Sequence, residues 1–434
     1  MCKNLREVIF SEELKMKYKE KISDFTRERK QNFSSLILFM LNNLQKSLSI
    51  EIDNFITHLT QKLSNQKIED FTKSAFVQNR NKLKPEVFKD LFNRVTSFFY
   101  DENHQANIKT FHGKRVLAVD GSTTNLPDTP LLKEIFGESK NQTQTSICQA
   151  RISMIYDVLN NLILDAKIGN LSLGERELAC SHFQHIKPND LVIYDRGYPS
   201  YDFVYQHIEL GCDYLFRVKI NHSTVVAAFV KSGEKSQIVE IFPNQKRSLK
   251  DTKYDKNSSI KVRLVRVELA GNEVEILLTS LIDTEEYPNK IFKELYFKRW
   301  KIETLYDELK TKLKVENFTG YSEKSILQDF YCAVFISNFQ SIILHDLEVD
   351  LKQKTQDRKY EYKINTNLSY GFLKNRILEL LHQNGDLEKV FEELKILFLK
   401  ETIPIRNNRN IPRNVGKYRT RLKPKVTKNH KDAI

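Results

Sequence analysis

Tyr296, Arg299, Glu303 and Lys310 are spaced as Y-x2-R-x3-E-x6-K. At about 100° per residue, a helix would hold these four side chains within roughly 60° of one another. They would lie beside an apolar arc of Leu295, Ile302, Leu305, Leu309 and Leu313. A carboxylate flanked by cations at the edge of a buried face suits phosphate chemistry. Taken alone the stripe fits a solvated ion-pair surface equally well, because Arg299 and Glu303 are an ordinary i,i+4 pair. Two further acids tip the balance. The apolar run Val116 to Val119 leads into Asp120-Gly121-Ser122, and the run Leu191 to Tyr194 leads into Asp195-Arg196-Gly197-Tyr198. Such runs read as buried strands, and open α/β sheets place ligands at the carboxyl ends of their strands. Each Asp is therefore expected to project from a strand end, with a nearby Gly permitting close approach.

Three converging carboxylates have one evident use, which is to hold hard divalent cations. Two carboxylates about 4 Å apart repel by roughly 1 kcal/mol in water and about 4 kcal/mol at an effective dielectric of 20. Mg²⁺ supplies the compensating charge and keeps coordination sites for water and phosphate. Paired ions then activate an attacking oxygen and stabilise the leaving one at phosphorus. Tyr296, Arg299 and Lys310 would donate to a phosphate beside that centre.

In this order and spacing, Asp120-Gly121-Ser122, Asp195-Arg196-Gly197-Tyr198 and the run Tyr296 to Lys310 resemble the DDE transposases of bacterial insertion sequences, specifically the insertion-sequence-four type. The resemblance implies an α/β, ribonuclease-H-like mixed sheet with flanking helices. Asp120 would sit on the first strand, Asp195 after the fourth and Glu303 on a later helix, with a β-rich insertion between the second Asp and the Glu. It further implies that Asp120, Asp195 and Glu303 bind two Mg²⁺, with Mn²⁺ as substitute, and that Tyr296, Arg299 and Lys310 grip the strand-end phosphate. The partners would be double-stranded DNA, as element ends and target, and a second copy of the chain in a DNA synapse. A hairpin intermediate is also expected. Two readings stay open beside it: a nuclease on the same core, and a noncatalytic DNA-binding regulator.

The elements that must position these residues are visible independently. Arg151 to Asp157 and Leu162 to Lys167 read as a hairpin turning at Asn160-Asn161, Ser172 to Phe183 and Tyr201 to Leu210 as helices. Asp213 to Lys219, Lys261 to Leu269 and Val274 to Leu281 read as strands, the last two joined across Ala270 to Glu273. The expected organisation is a helical, DNA-end-binding region over 1–105, a first core part over 106–212 and a β-rich insertion over 213–285. A second core part over 286–350 and a helical C-terminal region with a basic tail over 351–434 complete it.

Of the 434 residues, 40% are hydrophobic and 29% charged, a globular balance, and the formal charge of +13 favours polyanionic partners. Between Arg406 and Lys431 stand ten Lys or Arg and no Asp or Glu, a tail suited to polyanions. Lys15, Lys17, Lys19, Lys21, Arg27, Arg29 and Lys30 form an early basic cluster. The five cysteines are scattered without a C-x2-C pair, which argues against a zinc site or a disulfide framework and fits a reduced cytosol; the resemblance implies a bacterial cytoplasm, nucleoid-associated when DNA is bound. No signal segment or membrane span is expected, and Phe330 to Leu347 reads as a core helix. Trp300, the only tryptophan, has two candidate roles: stacking on a displaced base, or packing under the catalytic helix. Ser122 and Thr123 either contact phosphate or bond the turn backbone.

Overall fold

Side-chain alternation along the strands builds the platform. The computed structural model describes residues 1–27, 30–63, 69–101, 108–140, 146–244, 252–269 and 273–406. Among these, a nine-stranded sheet comprises β1 (Val116–Asn125), β2 (Glu138–Lys140), β3 (Ser146–Asp157), β4 (Leu162–Asn170), β5 (Leu191–Tyr194), β6 (Asp213–Val218), β7 (Ser236–Ile241), β8 (Ile260–Glu268) and β9 (Val274–Thr279). Its centre runs β4-β3-β1-β5-β6, with β3 antiparallel to both neighbours and β1, β5 and β6 mutually parallel. That is the ribonuclease-H-like arrangement. Both faces are buried: Val116, Ala118, Leu191 and Ile193 join one core, and Leu117, Val119, Val192 and Tyr194 the other. This explains why these strands read as unbroken apolar runs.

Three expectations need correction. β1 does not end at Asp120. Its parallel pairing with β5 stops at Ala118, but its antiparallel pairing with β3 continues to Asn125, so Asp120 projects from mid-strand where one neighbour has ended. The segment from 213 begins with β6, which pairs with β5 and completes the central sheet; β9, β8 and β7 then extend the same sheet. The expected helix over Ser172 to Phe183 shrinks to Glu175–Cys180 with a 3₁₀ turn at Phe183–His185. Asn170 bonds the Ser172 backbone and hydroxyl, delaying the helix start.

The hairpin turns where expected, with Asn161 in the left-handed region at φ 57°. Residues 270–272 and the tail from 407 lie outside the described residues. Six helices between Cys2 and Phe99 form the described N-terminal region. Leu36, Phe39, Phe88 and Phe92 from these helices share one core with Val116 and Ile193, so the region packs on the sheet. Within the early basic cluster Lys19 is buried and donates to the Ile22 carbonyl, and Arg29 lies outside the described residues. The helix Glu323–Asp346 is long and apolar enough to cross a membrane, yet 78% of its most apolar stretch is buried inside the protein. Its Asn338 amide accepts from Ile163 N at 2.9 Å and donates to Ile163 O at 2.7 Å, holding the start of β4. No disulfide joins the five cysteines.

A buried polar chain joins β3 to β4. Ser153 Oγ lies 3.0 Å from His182 Nε2, and His182 Nδ1 lies 2.9 Å from Asp165 Oδ2. Lys167 and Lys89 stand 3.2 and 3.5 Å from the Asp165 carboxylate. Burial alone would raise Asp165, but His182 and the two lysines together hold it well below the usual carboxylate range. A depressed acid stabilises the fold above its unfolded pKa, and that stability is lost as pH falls below about 4. Melting temperature should therefore drop steeply in acid, and Asp165→Asn should flatten the drop while lowering stability at neutral pH. Parallel acid limbs for the two proteins would refute this.

Candidate active site

The expected single helix is broken: Tyr296 lies in one helix, Arg299 in the turn after it, and Glu303 and Lys310 in the next helix. Asn289–Phe297 ends before the turn at Lys298 and Arg299, and Trp300–Thr311 follows. Across the junction the bonds are of the i→i−3 kind, from Arg299 N to Tyr296 O and from Ile302 N to Arg299 O. Neither Pro nor Gly marks this break, so spacing alone could not show it. The apolar arc is nonetheless buried as expected, with Leu295, Ile302, Leu305, Leu309 and Leu313 all at 5% exposure or less.

The polar residues of the stripe meet the two strand-borne acids. Arg299, only 2% exposed, places Nη2 2.6 Å from Glu303 Oε1 and Nη1 3.4 Å from Asp120 Oδ2. A solvated surface pair is thereby excluded. The Tyr296 hydroxyl donates to Asp195 Oδ1 at 3.2 Å, and Lys310 Nζ donates to Ser122 Oγ at 2.9 Å. Arg299 thus joins Asp120 to Glu303, and Tyr296 separately holds Asp195. Ser122 lies within β1, so it serves no turn. Trp300 is 39% exposed, with the Arg299 guanidinium 5.1 Å from its ring. It is therefore not a core side chain.

Several participants carry no sequence signal. Arg217, from β6, donates through Nε to Asp195 Oδ1 at 2.7 Å and through Nη1 to Glu275 Oε1 at 2.6 Å. The Tyr306 hydroxyl donates to the Asp120 carbonyl at 2.7 Å, and Ser153 Oγ approaches the same oxygen at 3.4 Å. These contacts fix the backbone that carries the first acid.

The two aspartates differ electrostatically. Burial pushes the Asp120 carboxyl up to about 6; Arg299 and the Gly121 N–H oppose it, while Glu303 and Asp195 add to it. At Asp195 burial is outweighed by hydrogen bonds from Arg217 and the Arg196 backbone and by the Arg299 charge, so the group stays below the ordinary carboxylate value. Burial lowers the Lys310 ammonium.

Residues 111–339 match the family described as Transposase DDE domain. The chain belongs to that family. Relatives include the transposase InsG for insertion sequence element IS4 of Escherichia coli (strain K12), 23% identical over 252 residues, covering 58% of this chain and 56% of that protein. The transposase for element IS231B of Bacillus thuringiensis subsp. berliner is 21% identical over 340 residues, covering 67% and 68%. The chain thus spans little more than half the length of the IS4 relative, and these relatives agree with the insertion-sequence-four type. A piggyBac transposase synaptic complex with hairpin DNA is similar at a TM-score of 0.46 and 11% identity, over 92% of this chain and 80% of that one.

The DDE family uses divalent metal ions, and the donor set here fits them in kind: carboxylate oxygens are the ligands of hard cations. The Tyr198 hydroxyl, 1% exposed, has no hydrogen-bond partner among the described residues. Among those residues no three His, Cys, Asp or Glu side chains stand close enough together to enclose an ion. Arg299 bridges two of the acids instead, so gathering them requires it to release Asp120.

Proposed function

We propose that this protein is a Mg²⁺-dependent transposase that cleaves at the terminal inverted repeats of its own element and joins the 3′ ends to target DNA by cut-and-paste. The bonding of all three acids by groups of the stripe, Asp120 and Glu303 by Arg299 and Asp195 by Tyr296, carries this reading. Two Mg²⁺ held by Asp120, Asp195 and Glu303 would supply charge neutralisation and a more nucleophilic attacking oxygen. The chain's own groups do the rest. Arg299, drawn off Asp120 by a phosphate, presents a planar fork to it. Tyr296 and Lys310 would donate to the same strand end. Trp300, exposed beside Arg299, offers a flat face to an unstacked base. Its bond to Ser122 holds Lys310 in place, so little ordering of that side chain remains when DNA arrives.

The charge of +13 supports a polyanionic partner. Holding both element ends calls for a dimer in the synapse, and the helical region over 1–105 is the proposed end-binding part.

The decisive assay incubates the protein with Mg²⁺, target DNA and a duplex bearing the inverted repeats that flank its coding sequence. Joined 3′ ends are expected. Products cut but never joined would indicate a nuclease, and salt-sensitive binding without any Mg²⁺-dependent product a regulator. In the same assay Lys310→Ala should weaken end binding and reduce the salt slope by about 1, with little change in melting temperature. An unchanged slope would remove Lys310 from phosphate contact.

A further inference from the structure

We propose that Tyr306 is a positioning residue of the centre: by fastening the helix that carries Glu303 to the backbone of Asp120, it fixes how those two acids stand toward a shared cation. This rests on the metal-dependent reading above. Glu303 and Tyr306 lie three residues apart in the helix Trp300–Thr311, so their side chains leave neighbouring parts of its surface. Tyr306, 5% exposed, donates its hydroxyl to the Asp120 carbonyl at 2.7 Å. That bond joins the carrier of the third acid to the first acid itself.

Two further ties follow along the same strand. Lys310 Nζ donates to Ser122 Oγ at 2.9 Å, and the Asn125 N–H donates to Glu316 Oε1 at 3.0 Å. From Tyr306 to Lys310 a helix advances about 6 Å, and from Asp120 to Ser122 an extended strand advances about 7 Å. The two rises nearly match, so helix and strand run alongside each other in the same direction. By strand alternation Asp120 and Ser122 share the side of β1 that carries Val116 and Ala118, and these pack in one core with Ile302, Leu305 and Tyr306. Of the three ties, only the first is made at one of the site acids. It is made by a neutral group, which brings no charge into competition with a cation.

The test titrates the full chain with Mn²⁺ alone and follows free Mn²⁺ by electron paramagnetic resonance, for wild type, Tyr306→Phe, Asp120→Asn and a matched control, Tyr100→Phe. The Tyr100 hydroxyl donates to Asp157 Oδ2, also at 2.7 Å, and Asp157 is not among the three site acids. Tyr306→Phe should bind Mn²⁺ about tenfold or more weakly. Tyr100→Phe should bind it as the wild type does, whatever either substitution costs in melting temperature. Equal weakening in both phenylalanine variants would mean a general loosening of the fold and would overturn the role of Tyr306. Wild-type affinity in Tyr306→Phe alongside lost affinity in Asp120→Asn would overturn it too, and leave the metal centre standing. Should Asp120→Asn bind Mn²⁺ as the wild type does, or the wild type take up none, the metal-dependent reading falls and this proposal with it. If Tyr306→Phe folds poorly, trimethylamine N-oxide strengthens burial, and the same titration is read in it for all four proteins.

Discussion

Asp120→Asn should abolish Mg²⁺-dependent cleavage and at the same time raise the melting temperature of the metal-free protein at pH 8. Loss of one carboxylate from a site that stabilises charge on reacting oxygens removes several kcal/mol of transition-state stabilisation, roughly a thousandfold or more in rate. The stability gain follows from the raised carboxyl. With a folded value of about 6 against an ordinary 3.8, the fold prefers the neutral form. The ionised carboxylate therefore costs stability above pH 6, and that cost vanishes as pH falls toward 4. Asn mimics the neutral form and should gain on the order of 2 kcal/mol at pH 8 and almost nothing at pH 4. Paired melts at the two pH values check this. A gain of equal size at both would mean that burial of the charge is not its source. Glu303→Gln should lose cleavage as completely, and equal cleavage by that variant and the intact protein would remove Glu303 from the mechanism.

The second large effect concerns stability alone. Arg80, 2% exposed, reaches from the N-terminal helices to the helix Glu323–Asp346 and the turn before it. Its guanidinium donates to Gln328 Oε1 at 2.9 Å, Asp329 Oδ1 at 2.9 Å and Ser325 O at 3.1 Å, and also to Thr319. Gln328 Nε2 returns bonds to the carbonyls of Arg80 and Leu83. Arg80→Ala would leave Asp329 half-compensated and several acceptors bare, at a cost of about 3–5 kcal/mol. Arg80→Lys should recover little, because a single ammonium cannot serve partners spread over a planar fork. Chemical denaturation measures both, and a loss under about 1 kcal/mol for Arg80→Ala would contradict this role.

Much of the candidate site's framework was legible in the chain because its signals are local. Apolar runs before Asp120 and Asp195 announce buried strands, and Asn160-Asn161 announces the hairpin. The spacing of Tyr296, Arg299, Glu303 and Lys310 survives the helix break because a tight turn keeps those side chains on one side. What escaped depends on distant chain crossings. Arg217 reaches Asp195 only because β6 lies beside β5, and no pattern around Arg217 says so. His182 is an ordinary polar residue until the chain after β4 carries it back to Asp165 on β4 and Ser153 on β3. The continuation of β1 past Asp120 was hidden for another reason: Gly121, Ser122, Thr123 and Thr124 look like a turn, and only pairing with β3 makes them strand.

That continuation gives the centre an unusual sensitivity to chain length. Asp120 is clamped between a parallel neighbour that has just ended and an antiparallel one that runs on, and its side chain points wherever the strand's two-residue alternation sends it. Adding or deleting one residue among Val116 to Val119 would turn the carboxylate through the sheet to the opposite side. A coding sequence for this chain therefore tolerates spelling changes in that stretch far better than it tolerates a single in-frame codon gained or lost.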